Sequence, residues 1–343
     1  MTRTDRGGPH RVLAEAIGNL PGGLVAVPTT PDHLDALTSL QRTCDLAGCG
    51  HTSTNVQEVR DELSDPECGW ARGSATVWRG AELVGALTIV DGLATGHGWM
   101  LDVYARPGDP DTLAIQDLLI AAAIEEGRAR WTVLDPRSEL PAPTAKSGCF
   151  VGDTALRADL ERWGFAEVRR FWRMRIDHAS PRHAGTGTSG ADRYLLRRFR
   201  DVDSEFRALH AAHMDAFSGH FDFTPADYPT WRAHVGGDTM DPSQWIVCEH
   251  EGSIVGFAVG SNRYASEGCG YVRAIGVLAE HRGRGLARRM LMARFADDAA
   301  RGLRSTLLHV DAANTTGATR LYESVGMATD SATVWSHRPL LDP

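Results

Sequence analysis

At 343 residues the chain is long enough for two domains of ordinary size. Its 42% hydrophobic content can build a packed core and excludes a largely disordered chain, while a net charge of -8 argues against general nucleic-acid binding, which favours a basic face. The six cysteines are scattered, and Cys44, Cys49 and His51 lack the second pair of ligands a zinc site would need, so free thiols and no metal are expected.

Met1 to Gly8 reads as a flexible tail. The polar stretch Met1 to His10 carries no signal peptide, and no apolar run approaches a membrane span. A cytoplasmic protein that engages no membrane is the expectation. Leu24 to Val27 predicts a short strand, and Pro31-Asp32-His33 opens a helix continuing through Leu40. Trp78 to Leu87 reads as a turn running into a strand. Next come a strand at Trp99 to Tyr104, a helix around Thr112 to Glu126, a strand near Trp131 and a loop rich in Pro and Ser. Phe171 to Ile176 closes this half as a strand. Ala179 to Asp192 (ASPRHAGTGTSGAD) cannot build a core and is read as a linker.

Beyond the linker the pattern recurs. Glu249 to Ala258 repeats the turn and strand of Trp78 to Leu87, and Leu160-Glu161-Arg162-Trp163-Gly164-Phe165 is echoed by Tyr322-Glu323-Ser324-Val325-Gly326-Met327. The strand at Phe171 to Ile176 is echoed around Val334-Trp335. A duplication of such long period predicts two domains of one fold, at residues 11–178 and 193–338, joined by 179–192.

The most informative stretch is Tyr271 to Gly302. Tyr271, Val272, Ile275 and Val277 suit a strand, while Ala287, Leu291, Phe295 and Ala299 recur at helical spacing. Between them stands Arg282-Gly283-Arg284-Gly285-Leu286-Ala287. Its glycines let backbone approach a ligand, and the unpaired amides that open the helix join the helix dipole and two arginines in an anion site fit for a pyrophosphate. An ordinary turn is the bland alternative for RGRG alone; its place between strand and helix favours phosphate.

This loop matches the Q/R-x-x-G-x-G/A signature of the GCN5-related N-acetyltransferases, and Val310 to Met327 resembles that family's second block of strand, Asn, helix, Tyr and Gly. The resemblance is good over about Arg193 to Arg338. It implies an α/β fold of two tandem domains, each a mixed, mostly antiparallel twisted sheet flanked by helices. It also implies an acetyl-CoA-dependent N-acetyltransferase acting on a small-molecule amine (a natural product, antibiotic or metabolite), with direct attack in a ternary complex. By that resemblance Ile275, Gly276 and Val277 bind the pantetheine arm, Arg282 to Ala287 the pyrophosphate, and Asn314 the cofactor arm, although Asn314 also suits a helix N-cap. Tyr322 matches the phenol that protonates the departing CoA sulfur; a phenol is a donor at neutral pH.

The general base is open. The position where many relatives carry a carboxylate is Arg273, which points instead to an anionic group on the acceptor. His213, His220 and Phe223, with Asp215, Asp222, Phe221 and Trp231, are candidates for the acceptor side, and Glu267 is another candidate base. Each histidine also reads as an ordinary solvated or core residue.

The first half has Arg106-Pro107-Gly108-Asp109-Pro110-Asp111 in place of the loop, Leu160 in place of Tyr322 and Gly152 in place of Asn314, so no acyl-CoA turnover is expected there. A silent first half before an active second half also resembles mycothiol synthase, which acetylates a cysteinyl sugar-inositol amine, and acetyltransferases of antibiotic biosynthesis and self-resistance. A non-catalytic acyl-CoA sensor would keep the loop and lose the phenol. Monomer and homodimer are equally compatible with the sequence.

Overall fold

The computed structural model describes residues 20, 22–64, 74–93, 96, 98–134, 142–178, 193–219, 223–237, 239–314 and 316–341. The tail at Met1 to Gly8, the linker at 179–192 and His220 lie outside these described residues. In chain order the first elements are β1 (Leu24–Pro28), α1 (Leu34–Cys49), α2 (Val56–Ser64), β2 (Ala75–Arg79), β3 (Glu82–Gly92) and β4 (Gly98–Ala105). They continue with α3 (Thr112–Val133), β5 (Thr144–Phe150), α4 (Thr154–Arg162), β6 (Ala166–Asp177), β7 (Tyr194–Arg198), α5 (Asp203–Phe217) and α6 (Tyr228–His234). The last are β8 (Ile246–His250), β9 (Ser253–Ser261), β10 (Cys269–Val277), α7 (Leu286–Ala300), β11 (Ser305–Asp311), α8 (Ala318–Ser324) and β12 (Ala328–Pro339).

Two units emerge, one comprising residues up to Phe171 together with Ser331 onward, the other Trp172–Asp330. These units divide the chain elsewhere than the expected 11–178 and 193–338. β12, from the end of the chain, completes the first unit's sheet by pairing antiparallel with β5 from Thr333↔Phe150 to Pro339↔Thr144. Conversely, the Trp172–Asp177 part of β6 belongs to the second unit, where β6 neighbours β11. The two late strands are thus exchanged between repeats, which composition around a linker cannot reveal.

In the first unit β1, β2, β3 and β4 are antiparallel neighbours, and β4 runs parallel to β5. α3 buries Ile115, Leu119, Ile120, Ala122 and Ala123 against β3 and β4 with Val84, Leu87, Trp99 and Leu101. The expected strand near Trp131 is instead the last turn of α3. No proline interrupts the run before Pro136, and Gly127 lets the helix lie on Trp99, whose ring a Cβ there would meet at 2.9 Å.

In the second unit β7, β8, β9 and β10 are antiparallel neighbours and β10 runs parallel to β11. The β8–β9 turn is Glu251-Gly252, both at positive φ (50° and 81°), the two-residue geometry that matches strand twist. Strand alternation then sorts the side chains. Val247, Phe257 and Val259 pack with Phe206, Leu209, Ala212 and Ala216 of α5, while Ile246, Cys248, Val255 and Ala258 pack with Leu286 and Met290 of α7. Both faces of this sheet are therefore covered, by α5 on one side and α7 on the other. α7 is further held by the fully buried pair Arg294–Asp298, with Thr306 Oγ1 donating to Asp298 Oδ2 at 2.7 Å and Arg294 Nη1 donating to the Gln244 carbonyl at 2.7 Å. Gly270 leaves room for that carboxylate, which a Cβ would meet at 2.1 Å.

Candidate functional site

The second unit's site starts with a split in its sheet. The parallel ladder between β10 and β11 runs through Cys269↔Ser305, Gly270↔Thr306 and Tyr271↔Leu307, and ends there. From Val272 onward β10 keeps only β9 as a strand partner. A β-bulge between Val272 and Ala274 leaves Arg273 as the extra residue, exposed to solvent. The bulge thus lies before Gly276, not at it. Gly276 answers to packing: a Cβ there would meet the Phe257 ring at 2.6 Å and Ala216 at 3.0 Å. Ile275 and Val277 are half-buried, and both reach the cluster holding Met290 of α7.

The glycine loop follows β10 directly. Gly283 and Gly285 are left-handed (φ 74° and 72°), and a Cβ at either would meet nothing within 4 Å, so open space borders the loop. Gly285 is the N-cap of α7 and supplies no side-chain cap, so the helix's first amides keep no partner from that position. Arg282 Nε donates to the Val277 carbonyl at 2.9 Å and Arg284 Nη1 to the Glu280 carbonyl at 2.6 Å, bonds that brace the loop while both side chains stay exposed. Leu286 is buried and Ala287 half-buried. The loop therefore presents free N–H donors, a helix N-terminus and two guanidiniums to one open surface.

Past β11, Asn314 Oδ1 accepts from Thr316 N at 2.8 Å and from Thr316 Oγ1. This is an Asx turn; the N-cap of α8 is Gly317, so Asn314 shapes the turn and does not cap the helix. Asp311 accepts from Ala313 N at 2.8 Å in the same connection. Tyr322, in the second turn of α8, is 7% exposed and packs with Val272, Leu291, Phe295, Leu308 and Val310. Burial pushes its phenol up to about 12, so it is protonated at neutral pH.

On the α5 side of the sheet, His213 stacks on Phe217 with centroids 4.6 Å apart, and Phe223, Trp231 and Phe257 ring it at 6.2, 6.2 and 5.6 Å. His213 and Phe223 are thus brought together; Asp215 is exposed, and it lines a cleft of about 470 Å³ with Arg197, Arg200 and Glu205 beside the β8–β9 turn. The cleft also takes in Leu278, the residue just past β10. Its central charge is already matched: burial pushes the Glu205 carboxyl up, but hydrogen bonds from Arg197 and Arg200 outweigh this and hold it at about 2.

The sequence reading missed a second group at the split. The Tyr271 hydroxyl lies 3.1 Å from His309 Nδ1, and the Arg263 guanidinium sits over the Tyr264 and Tyr271 rings at 5.4 and 5.9 Å. Only the register of β10 on β11 brings these residues together. Among the described residues no group of three potential metal ligands occurs. Cys49 Sγ is 3.8 Å from His51 Nε2, and Cys44, Cys49, Cys149, Cys248 and Cys269 form no disulfide among the described residues. No described helix is long and apolar enough to cross a membrane.

The model of the acetyltransferase (GNAT) family matches residues 206–327, spanning α5 to the turn after α8. A mycothiol acetyltransferase of Thermobispora bispora is 31% identical over 238 residues, 65% of this chain and 74% of that protein. Among solved structures, a GCN5-related N-acetyltransferase of Sphaerobacter thermophilus superposes with a TM-score of 0.79 at 22% identity, covering 94% of this chain and 98% of that one. A tandem GNAT protein from the clavulanic acid biosynthesis pathway gives a TM-score of 0.69 at 14% identity over 93% and 99% of the two chains. With two units built alike and the sequence match over the split and its glycine loop, the chain belongs to the GNAT family as a tandem-domain acetyltransferase.

Proposed function

We propose that the second unit transfers the acetyl group of acetyl-CoA to the amine of a small molecule, and that the split between β10 and β11 is where the two substrates meet. The observation that carries this reading is the end of the β10–β11 ladder at Tyr271 and Leu307, next to a glycine loop with uncapped helix amides. The amides of α7, with Arg282 and Arg284, would hold the pyrophosphate of the cosubstrate. The free edge of Ile275, Gly276 and Val277 would bond the pantetheine arm, with Asn314 across the split.

Tyr322 would donate its proton to the departing sulfur. A phenol raised to about 12 stays protonated at neutral pH and is a weak acid, but a thiolate leaving in a crowded, largely apolar site is a competent acceptor. Attack is direct, in a ternary complex: Cys248 and Cys269 are buried, and neither is assigned a nucleophile's role. Arg273, set out from the ladder by the bulge, would pair with an anionic group of the acceptor, and His213 and Phe223 would wall the acceptor side. A cytoplasmic setting fits a reaction fed by acetyl-CoA.

The identity with the mycothiol acetyltransferase of Thermobispora bispora favours a second, narrower reading, a cysteinyl sugar-inositol amine as acceptor. Acetyl-CoA calorimetry on the full chain, followed by CoA release against amines that include that thiol precursor, tests both. One binding site and release with an amine support the proposal; absence of binding removes it. Release confined to unrelated amines removes the narrower one.

A further inference from the structure

We propose that His309 is the proton acceptor for the attacking amine and that Tyr271 positions its ring; this rests on the acetyl-transfer reading of the split and assigns the step that reading leaves without a residue. Leu308 and Val310 pack with Tyr322, Leu291 and Phe295, so strand alternation turns His309 to the opposite face of β11. That face also holds Leu307, Tyr264 and Tyr271. His309 is the first residue on it beyond the last β10–β11 pair, and it is exposed to solvent. A thioester lodged in the split would therefore have Tyr322 towards one face and His309 towards the other. The Tyr271 hydroxyl, 3.1 Å from Nδ1, fixes the ring so that Nε2 is left to the cleft.

The charges around the ring favour a neutral base. Part of the residue meets solvent, but the protein packed round its ring lowers its pKa most, the guanidiniums of Arg263 and Arg173 lower it further, and Asp330 opposes them only in part, leaving it at about 4. Arg173 and Asp330 are themselves paired at 2.6 Å, and Arg273 adds positive charge beside Tyr271. So weak a base in the free protein is poorly matched to an ammonium. An anionic group of the acceptor, paired with Arg263 or Arg273, offsets that positive field and raises His309 towards a working value. The same field repels an ammonium lacking such a group. The arrangement therefore selects acceptors that carry both an amine and an anion.

With Nδ1–H donating to the Tyr271 oxygen, Nε2 takes one proton from the ammonium, and the N–H electron pair stays on nitrogen. That pair forms the C–N bond at the thioester carbon. As the C–S bond breaks, sulfur keeps its electrons and takes the Tyr322 proton. The phenolate recovers the second proton of the amine nitrogen, and the imidazolium returns the first to water, so the residues end as they began.

The test compares two acceptors of equal length and like charge at the anionic end. β-Alanine is an ammonium at pH 7, whereas aminooxyacetate has a nitrogen that is already neutral. In full-length protein, His309→Gln should lower kcat/KM for β-alanine by about 100-fold and for aminooxyacetate by less than about twofold. Tyr271→Phe should repeat the selective loss at about fivefold, as a positioning residue does. Unchanged acetyl-CoA affinity by calorimetry checks that the variants fold. Equal losses with both acceptors would overturn the assignment, since a structural defect does not read amine protonation. Wild-type turnover of aminooxyacetate alone would also overturn it, and turnover of neither, with acetyl-CoA still bound, would overturn the claim that the site selects acceptors carrying both an amine and an anion; loss of acetyl-CoA binding alone would remove the acetyl-transfer reading.

Discussion

In each unit a parallel strand pair opens after a few residues, and the two openings are finished in opposite ways. β4 and β5 pair only at Trp99↔Ala145 and Met100↔Lys146, much as β10 and β11 stop at Tyr271↔Leu307. In the first unit the far side of that opening is filled. Gly152, where the second half has Asn314, lies against the C-terminal turn of α1: a Cβ there would come within 2.2 Å of the Gly48 carbonyl. Gly48 in turn faces Phe150, and Cys44 donates to the Ala105 carbonyl. Asp102 reaches the Gly148 backbone; burial pushes its carboxyl up to about 6, against that hydrogen bond. Leu160, in place of Tyr322, is 1% exposed in the core. The loop after β4 carries Asp109 and Asp111, both bonded by Arg79, in place of a surface of free donors. One split is packed shut by its own helix and the other is lined with polar groups and open amides. The two openings keep one sheet geometry and differ in a few residues that set how each is filled.

The largest test of that contrast is Gly285→Glu. A left-handed residue with a side chain costs about 1–3 kcal/mol of strain, and its carboxylate would face the pyrophosphate. Acetyl-CoA binding by calorimetry should vanish; a surviving site would place a binding opening in the first unit and break the comparison. Tyr322→Phe should lower turnover at least about tenfold with acetyl-CoA affinity little changed. Unchanged turnover would make Tyr322 as inert as Leu160.

Exchanging the third pair of counterparts sharpens the contrast through stability. Gly152→Asn should cost about 2–3 kcal/mol, read from the denaturant midpoint, because backbone must move to admit a side chain. Asn314→Gly should cost about 1 kcal/mol or less and act mainly on the KM for acetyl-CoA, since only a local turn bond is lost. Equal costs would mean that the first opening is less tightly filled than its glycines indicate. The smallest effect expected is a shift of about fivefold in acceptor KM on Arg273→Ala, with acetyl-CoA KM nearly unchanged. The reverse pattern would move Arg273 to the cosubstrate side.

Local rules carried the reading where the chemistry is local. Glycine spacing before an amphipathic run foretold an uncapped helix start at Gly285, and β-branched and aromatic residues placed β10 within a few residues. The same rules failed where distant segments decide. Trp131 looks β-prone alone but continues α3, because Gly127 seats that helix on Trp99. The bulge of β10 sits at Arg273, and Gly276 is small to make way for Phe257 and Ala216, neither of which is near it in sequence.

By itself, then, the sequence determined the repeated α/β design, the glycine loop that opens α7 and the place of Tyr322 on the helix after it, since each depends on backbone preferences or spacing within one turn or strand. Tertiary structure alone decided the exchange of β6 and β12, the filling of the first opening by α1, and the meeting of Tyr271 with His309 across 38 residues of chain. Those depend on strand register and helix placement, which are set by the packing of whole faces and not by any one stretch of residues.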